Sequence, residues 1–92
     1  MLVRLIQIEK ASGASLIDLR EIYVNPRHVV SIADDVQANR SLINEAVQAG
    51  LDENVTFSRI ILQDGVSSRK ITVVGSPSSI NAKINSKQVL RG

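Results

Sequence analysis

Between Thr56 and Val74 two runs of strand-forming residues meet at Asp64-Gly65, and this feature limits the fold more than any other. The first run is Thr56-Phe57-Ser58-Arg59-Ile60-Ile61-Leu62-Gln63, and the second is Arg69-Lys70-Ile71-Thr72-Val73-Val74. Asp-Gly supplies the positive φ that a tight turn needs, and Val66-Ser67-Ser68 extends the loop, so the pair predicts a β-hairpin. A lone hairpin is marginal in water. The remaining residues must therefore add strands to it or cover its apolar face.

They supply both. Residues 2–8 read as a strand apolar on both faces apart from Arg4 and Gln7, which suits a central position in a sheet. A cluster of small residues, Ala11 to Ser15, marks a turn, and Leu16 to Val24 is rich in strand formers. Asn25-Pro26 ends that run, because proline fixes its own φ and pushes the preceding residue away from helix. A further short strand follows from Arg27 to Ala33, related to the previous one by a hairpin or by a bend between sheets.

From about Arg40 the pattern changes period. Leu42, Ile43, Ala46, Val47 and Ala49 form a one-sided helical stripe, with Asn39 or Ser41 as N-cap and Gly50 as C-terminal stop. Leu51 is placed to fold back on the last turn, and the stripe reads as a lid for the sheet. A second helix opens at Gly75-Ser76-Pro77-Ser78-Ser79, with Ser76 as N-cap and Pro77 at the first helical position. Ile80 and Ile84 share one face of it. The fold expectation is α+β: a five-stranded, mostly antiparallel sheet or partly open small barrel carrying two short helices. Residues 1–85 make one domain, and 86–92 form a basic C-terminal tail.

Ninety-two residues suffice for one domain. A chain of this size buries about 60–65% of the surface it exposes when unfolded. With no cysteine it has neither disulfides nor a thiolate metal site to compensate. Self-association is the remaining way to bury more apolar surface, so a homo-oligomer is expected. No run reaches the roughly 20 apolar residues of a membrane span. The segment from Met1 to Lys10 lacks the basic leader and cleavage pattern of a secretory signal. The expectation is a cytoplasmic protein with no membrane insertion.

Charge is uneven along the chain. Residues 1–54 carry five basic against eight acidic side chains, net −3, and residues 55–92 carry six against one, net +5. Such asymmetry marks either a polyanion-binding face or two halves that interleave in a mixed surface. The candidate nucleic-acid contacts are Arg59, Arg69, Lys70, Lys83 and Lys87. The alternative for the hairpin residues is that they guard a strand edge against unwanted pairing. Tyr23 and Phe57 are too few rings for a platform that stacks single-stranded bases.

No catalytic constellation is legible. His28 is the one histidine, with no nucleophile pattern beside it. Asp34-Asp35 and Asp52-Glu53 would bind a metal only by converging in space, and the five glycines spell no phosphate loop. The hydroxyls of Gly75–Ser79 could meet an anion, but ordinary capping explains the same residues. No catalytic, metal or cofactor-binding residue is assigned.

The succession Ile22-Tyr23-Val24-Asn25, Val29-Val30-Ser31-Ile32, Ser58 to Gly65, Ile71-Thr72-Val73-Val74 and Ile80 to Ile84 is similar in layout to the small FlbD/SwrD-type proteins. Those are short strand-rich bacterial chains linked to flagellar function, and similar small chains are common in tailed phages. Residues 36–55 are an addition to that compact layout. That addition resembles RemA-type DNA-binding regulators, which set a helix like Ser41 to Gly50 between two strand pairs and assemble into rings. The paired arginines that follow the helix in that family are not reproduced in the corresponding stretch Thr56-Phe57-Ser58-Arg59, which leaves Arg59 as the one candidate contact there. The resemblances imply a phage or bacterial regulatory protein. The leading expectation is a non-enzymatic oligomeric interaction module acting on a protein partner. The alternatives are a sequence-independent DNA-binding regulator using the basic face, and a small enzyme.

Overall fold

A computed structural model describes residues 1–10 and 17–89, with side chains as far as Asn85. The expected turn at Ala11–Ser15 lies outside the described residues. Five strands form one antiparallel sheet, not closed into a barrel: β1 (Val3–Lys10), β2 (Ile17–Val24), β3 (Val29–Asp34), β4 (Phe57–Asp64) and β5 (Ser67–Val74). Their order across the sheet is β2-β1-β5-β4-β3. β1 is interior, as its two-faced apolar character predicts. The edges are β2 and β3.

The β4–β5 hairpin closes more tightly than expected. Asp64 pairs with Ser67, leaving Gly65-Val66 as a two-residue loop, and Gly65 has φ +63°. Positive φ at the first of two loop residues suits a type II′ turn, so Ser67 and Ser68 extend the strand instead of the loop. Arg69 and Lys70 therefore sit within β5 and not in an exposed loop. Arg59 is paired on both sides, with Ala33 and Thr72, and so guards no edge, whereas the β1–β5 ladder registers only at Val73 and leaves Arg69 and Lys70 paired with β4 alone.

The Asn25-Pro26 corner is not a hairpin. Asn25 Oδ1 accepts from the Arg27 amide, a 3₁₀ turn runs Pro26–His28, and the chain passes from one edge of the sheet to the other. β1 and β5 share the single registered pair Gln7↔Val73, whereas β1–β2 and β4–β5 are each paired over eight positions.

Pleating sorts the side chains. Val3, Leu5, Val24, Ile60, Leu62, Ile71 and Val73 form one core, closed by Ile80 and Ile84 of helix α3 (Pro77–Val89). Burying each large aliphatic side chain contributes about 1.5–3 kcal/mol. Ser76 Oγ accepts from the Ser79 amide at 3.2 Å, the cap expected from the sequence. Ser58 is fully buried among these residues and donates to the Gly75 carbonyl at 2.7 Å.

The opposite face holds a second cluster of Ile8, Phe57, Ala38 and Ala46, with Leu42, Ile43, Leu51 and Val74 packed on it. Its lid differs from the single 40–50 helix that the stripe predicts. There are two helices, α1 (Val36–Ser41) and α2 (Ile43–Gln48), broken at Leu42. The cap is Asp35, four residues earlier than Asn39, because the side chains of Asn39 and Ser41 are used elsewhere. Ser41 Oγ donates back to the Gln37 carbonyl, a bond that bends helices, and Asn39 reaches the sheet. The C-terminus follows the expected chemistry. Gly50 has φ +103°, the Gly50 amide donates to Val47, and the Leu51 amide donates to Ala46, the double bond of a Schellman stop.

Candidate interaction surface

The sheet separates the basic residues that the sequence groups together. Arg69 and Lys70 are consecutive in a strand and so point to opposite faces. Lys70 pairs with Ile61 and Arg59 pairs with Thr72, which makes Arg59 and Lys70 diagonal neighbours on the face that carries α1 and α2. Arg69 shares the α3 side of the sheet with Ile71, and Lys83 is exposed on α3 itself. The side chain of Lys87 lies outside the described residues.

Even the Arg59–Lys70 pair is not a pure cationic field. A depression of about 330 Å³ is lined by Arg59 and Arg40 together with Asp34 and Asp35. Asp35 is committed to structure: Oδ1 accepts from the Ala38 amide at 3.0 Å, and Oδ2 accepts from the Thr72 hydroxyl at 2.7 Å. The acidic first half and basic second half thus interleave here, and they do so again where Asp64 lies 4.0 Å from His28 Nε2.

That second contact borders a small cavity of about 240 Å³ lined by Tyr23, His28, Asp64, Ser67 and Arg69, among others. A nucleophile activated by a base needs a hydrogen bond between them, roughly 2.6–3.2 Å between heavy atoms. Among the described residues none joins Ser67 to His28, and the His28–Asp64 separation exceeds that range. The acidic pairs do not converge either. Asp52 accepts from the Asn54 amide in its own turn, and no three His, Asp or Glu side chains among the described residues could hold a metal ion together. No helix among the described residues is long and apolar enough to cross a membrane.

A groove of about 520 Å³ lies between β3 and α3. Pro26, Val29, Val30, Ser31 and Ile32 line one wall, and Pro77, Ser78, Asn81, Ile84 and Asn85 line the other. Among the described residues no charged side chain lines it. Its β3 wall is a sheet edge, where alternate residues turn an N–H and a C=O away from the sheet. The two edges differ in kind. β2 carries Asp18, Arg20 and Glu21, and its charges pair with β1 through Arg4–Glu21 and Arg20–Glu9, which guards that edge. β3 is uncharged from Val29 to Ala33, and Val30, the extra residue at the register shift, is 58% exposed.

The sequence alone does not mark these residues as a groove. The uncharged run Val29-Val30-Ser31-Ile32-Ala33 is visible there, but only strand order reveals that it is an edge. Comparison with protein families, with curated proteins and with solved structures finds no match to this chain.

Proposed function

We propose that the chain is a non-enzymatic interaction module that docks an extended protein strand on the open edge of β3. The observation that carries this reading is the uncharged β3 edge bordering the uncharged β3–α3 groove. Strand addition uses these two parts: unpaired main-chain groups supply hydrogen bonds, and a flanking groove receives alternate side chains. The described lining carries no charge and so favours an uncharged strand, since a buried unpaired charge is costly. The division of Arg59 and Lys70 from Arg69 and Lys83 supports an interaction with protein over one with the phosphate backbone.

The test is an amide chemical-shift titration with the blocked peptide acetyl-Val-Thr-Val-Thr-Val-amide. Shifts at residues 29–33 together with Ser78 and Asn81, abolished by Val30→Lys, are the expected result. Absence of shifts in a chain that is monomeric at the titration concentration, or shifts confined to other strands, overturns the reading.

A further inference from the structure

Resting on that strand-docking reading, we infer that the strand received by β3 is the β3 of a second copy, paired antiparallel about a two-fold axis at Ser31–Ile32. The occupant is identified by charge. The open edge of β3 is uncharged from Val29 to Ala33 and acidic at Asp34, and the 3₁₀ turn that leads into it carries Arg27 and His28. Arg27 and Asp34 are both exposed, and neither side chain has an ion-pair partner among the described residues. Antiparallel self-pairing of β3 brings Asp34, at the end of the strand, to the partner's 3₁₀ turn that carries Arg27, and the two-fold repeats the contact. Counting the bulged Val30 as a ladder position or omitting it moves the axis from Ser31 to between Ser31 and Ile32. Both registers bring Asp34 to the same cationic corner. A parallel arrangement would stack Arg27 on the partner's Arg27 and Asp34 on the partner's Asp34, which is repulsive at both ends.

A two-fold contact of this kind is self-complementary, because each residue that gives a contact also receives it. It would join two five-stranded sheets into one and bring apolar side chains of β3 to the partner's groove against α3. It also removes the exposed edge whose uncharged sequence otherwise invites uncontrolled strand pairing.

The experiment measures solution mass against concentration for the full chain and for Arg27→Glu and Asp34→Lys, each checked for folding by circular dichroism. The wild type is expected to reach twice 10.0 kDa. Each variant alone places like charges at both ends of the pair and should weaken the dimer by at least roughly tenfold. An equimolar mixture of the two variants should recover the dimer, since every 27–34 contact in the mixed pair is again attractive. A wild-type chain that stays monomeric overturns the inference, as does a dimer whose mass ignores both substitutions. Titrating Arg27→Glu with the blocked peptide reads the strand-docking function separately. A monomer that binds the peptide loses the dimer and keeps that function, whereas a chain whose β3 amides ignore the peptide loses both.

Discussion

The side-chain amide of Asn39 stands in for a strand against the main chain of Phe57. Its Oδ1 accepts from the Phe57 amide at 2.7 Å, and its Nδ2 donates to the Phe57 carbonyl at 3.4 Å. The same carbonyl accepts from the Asp35 amide at 3.0 Å. β3 ends at Asp34, so these bonds continue the β3–β4 ladder one residue further and fasten α1 to the sheet.

Asn39→Ala should therefore destabilise the chain by about 1–3 kcal/mol, the cost of leaving a buried main-chain donor unpaired. Asn39→Asp keeps the acceptor but turns an oxygen towards the Phe57 carbonyl, so it should not restore wild-type stability. Urea unfolding midpoints of the two variants check both statements.

Asp35 and Thr72 form the second tie between helix and sheet. Asp35→Ala should cost about 1–2 kcal/mol for the lost cap alone, and more once the Thr72 hydroxyl is stranded. Thr72→Val should cost about 1 kcal/mol by itself. In the double variant the two losses should add to less than their sum, because they share one bond. A double-mutant cycle by denaturant unfolding measures the coupling.

Gly75 has φ +126°, and a Cβ there would lie 3.0 Å from Ile80 Cδ1 and 3.1 Å from Ser79 Oγ. At Gly65 the φ is +63° and nothing lies within 4 Å of the same position. Gly75→Ala should thus destabilise by clearly more than Gly65→Ala, whose cost is the left-handed backbone alone, about 1–2 kcal/mol. Thermal unfolding of the pair decides it, and equal losses would contradict the packing at Ile80.

The Glu21 carboxyl is held below the ordinary carboxylate value, first by the hydrogen bond from Arg4 and then by that from the Tyr23 hydroxyl. A depressed value means stabilisation that is complete above the unfolded-state pKa and is lost as pH falls through the lower folded-state one. All three side chains are exposed, so the effect is small and screened by salt. The melting-temperature gap between wild type and Glu21→Gln should be present at neutral pH and close in acid.

Separation of the basic residues limits any contact with DNA. Five phosphate contacts on one face would give a log–log salt slope of about −4 to −5, whereas Arg59 and Lys70 alone give about −2. Fluorescence anisotropy of labelled duplex DNA at several salt concentrations should show the shallow slope. Lys70→Glu should affect it more than Arg69→Glu, because only Lys70 shares a face with Arg59.

Local chemistry decided most of what the amino-acid order made legible. Asp64-Gly65 determined a hairpin, Ser76-Pro77 a helix start, Gly50-Leu51 a helix stop, and Ile80 with Ile84 a buried stripe, since each depends on neighbours within a few residues. The 40–50 stripe reads as one helix because propensity does not register where Asn39 and Ser41 send their side chains. Asn39 is drawn off by Phe57, eighteen residues away, and the cap then falls to Asp35.

Strand order belongs to the tertiary structure alone. Nothing between Asn25 and Arg27 states that β2 and β3 lie on opposite edges, and nothing in Arg69-Lys70 states which face is covered. Those facts follow from how two apolar faces are buried together by α3 on one side and by α1 with α2 on the other. The aliphatic pattern by itself determined that there would be a sheet with helical lids. Only the packing decided that the uncharged strand Val29–Ala33 would be left open at its edge, because edge status depends on which strands pair and not on what any one strand contains.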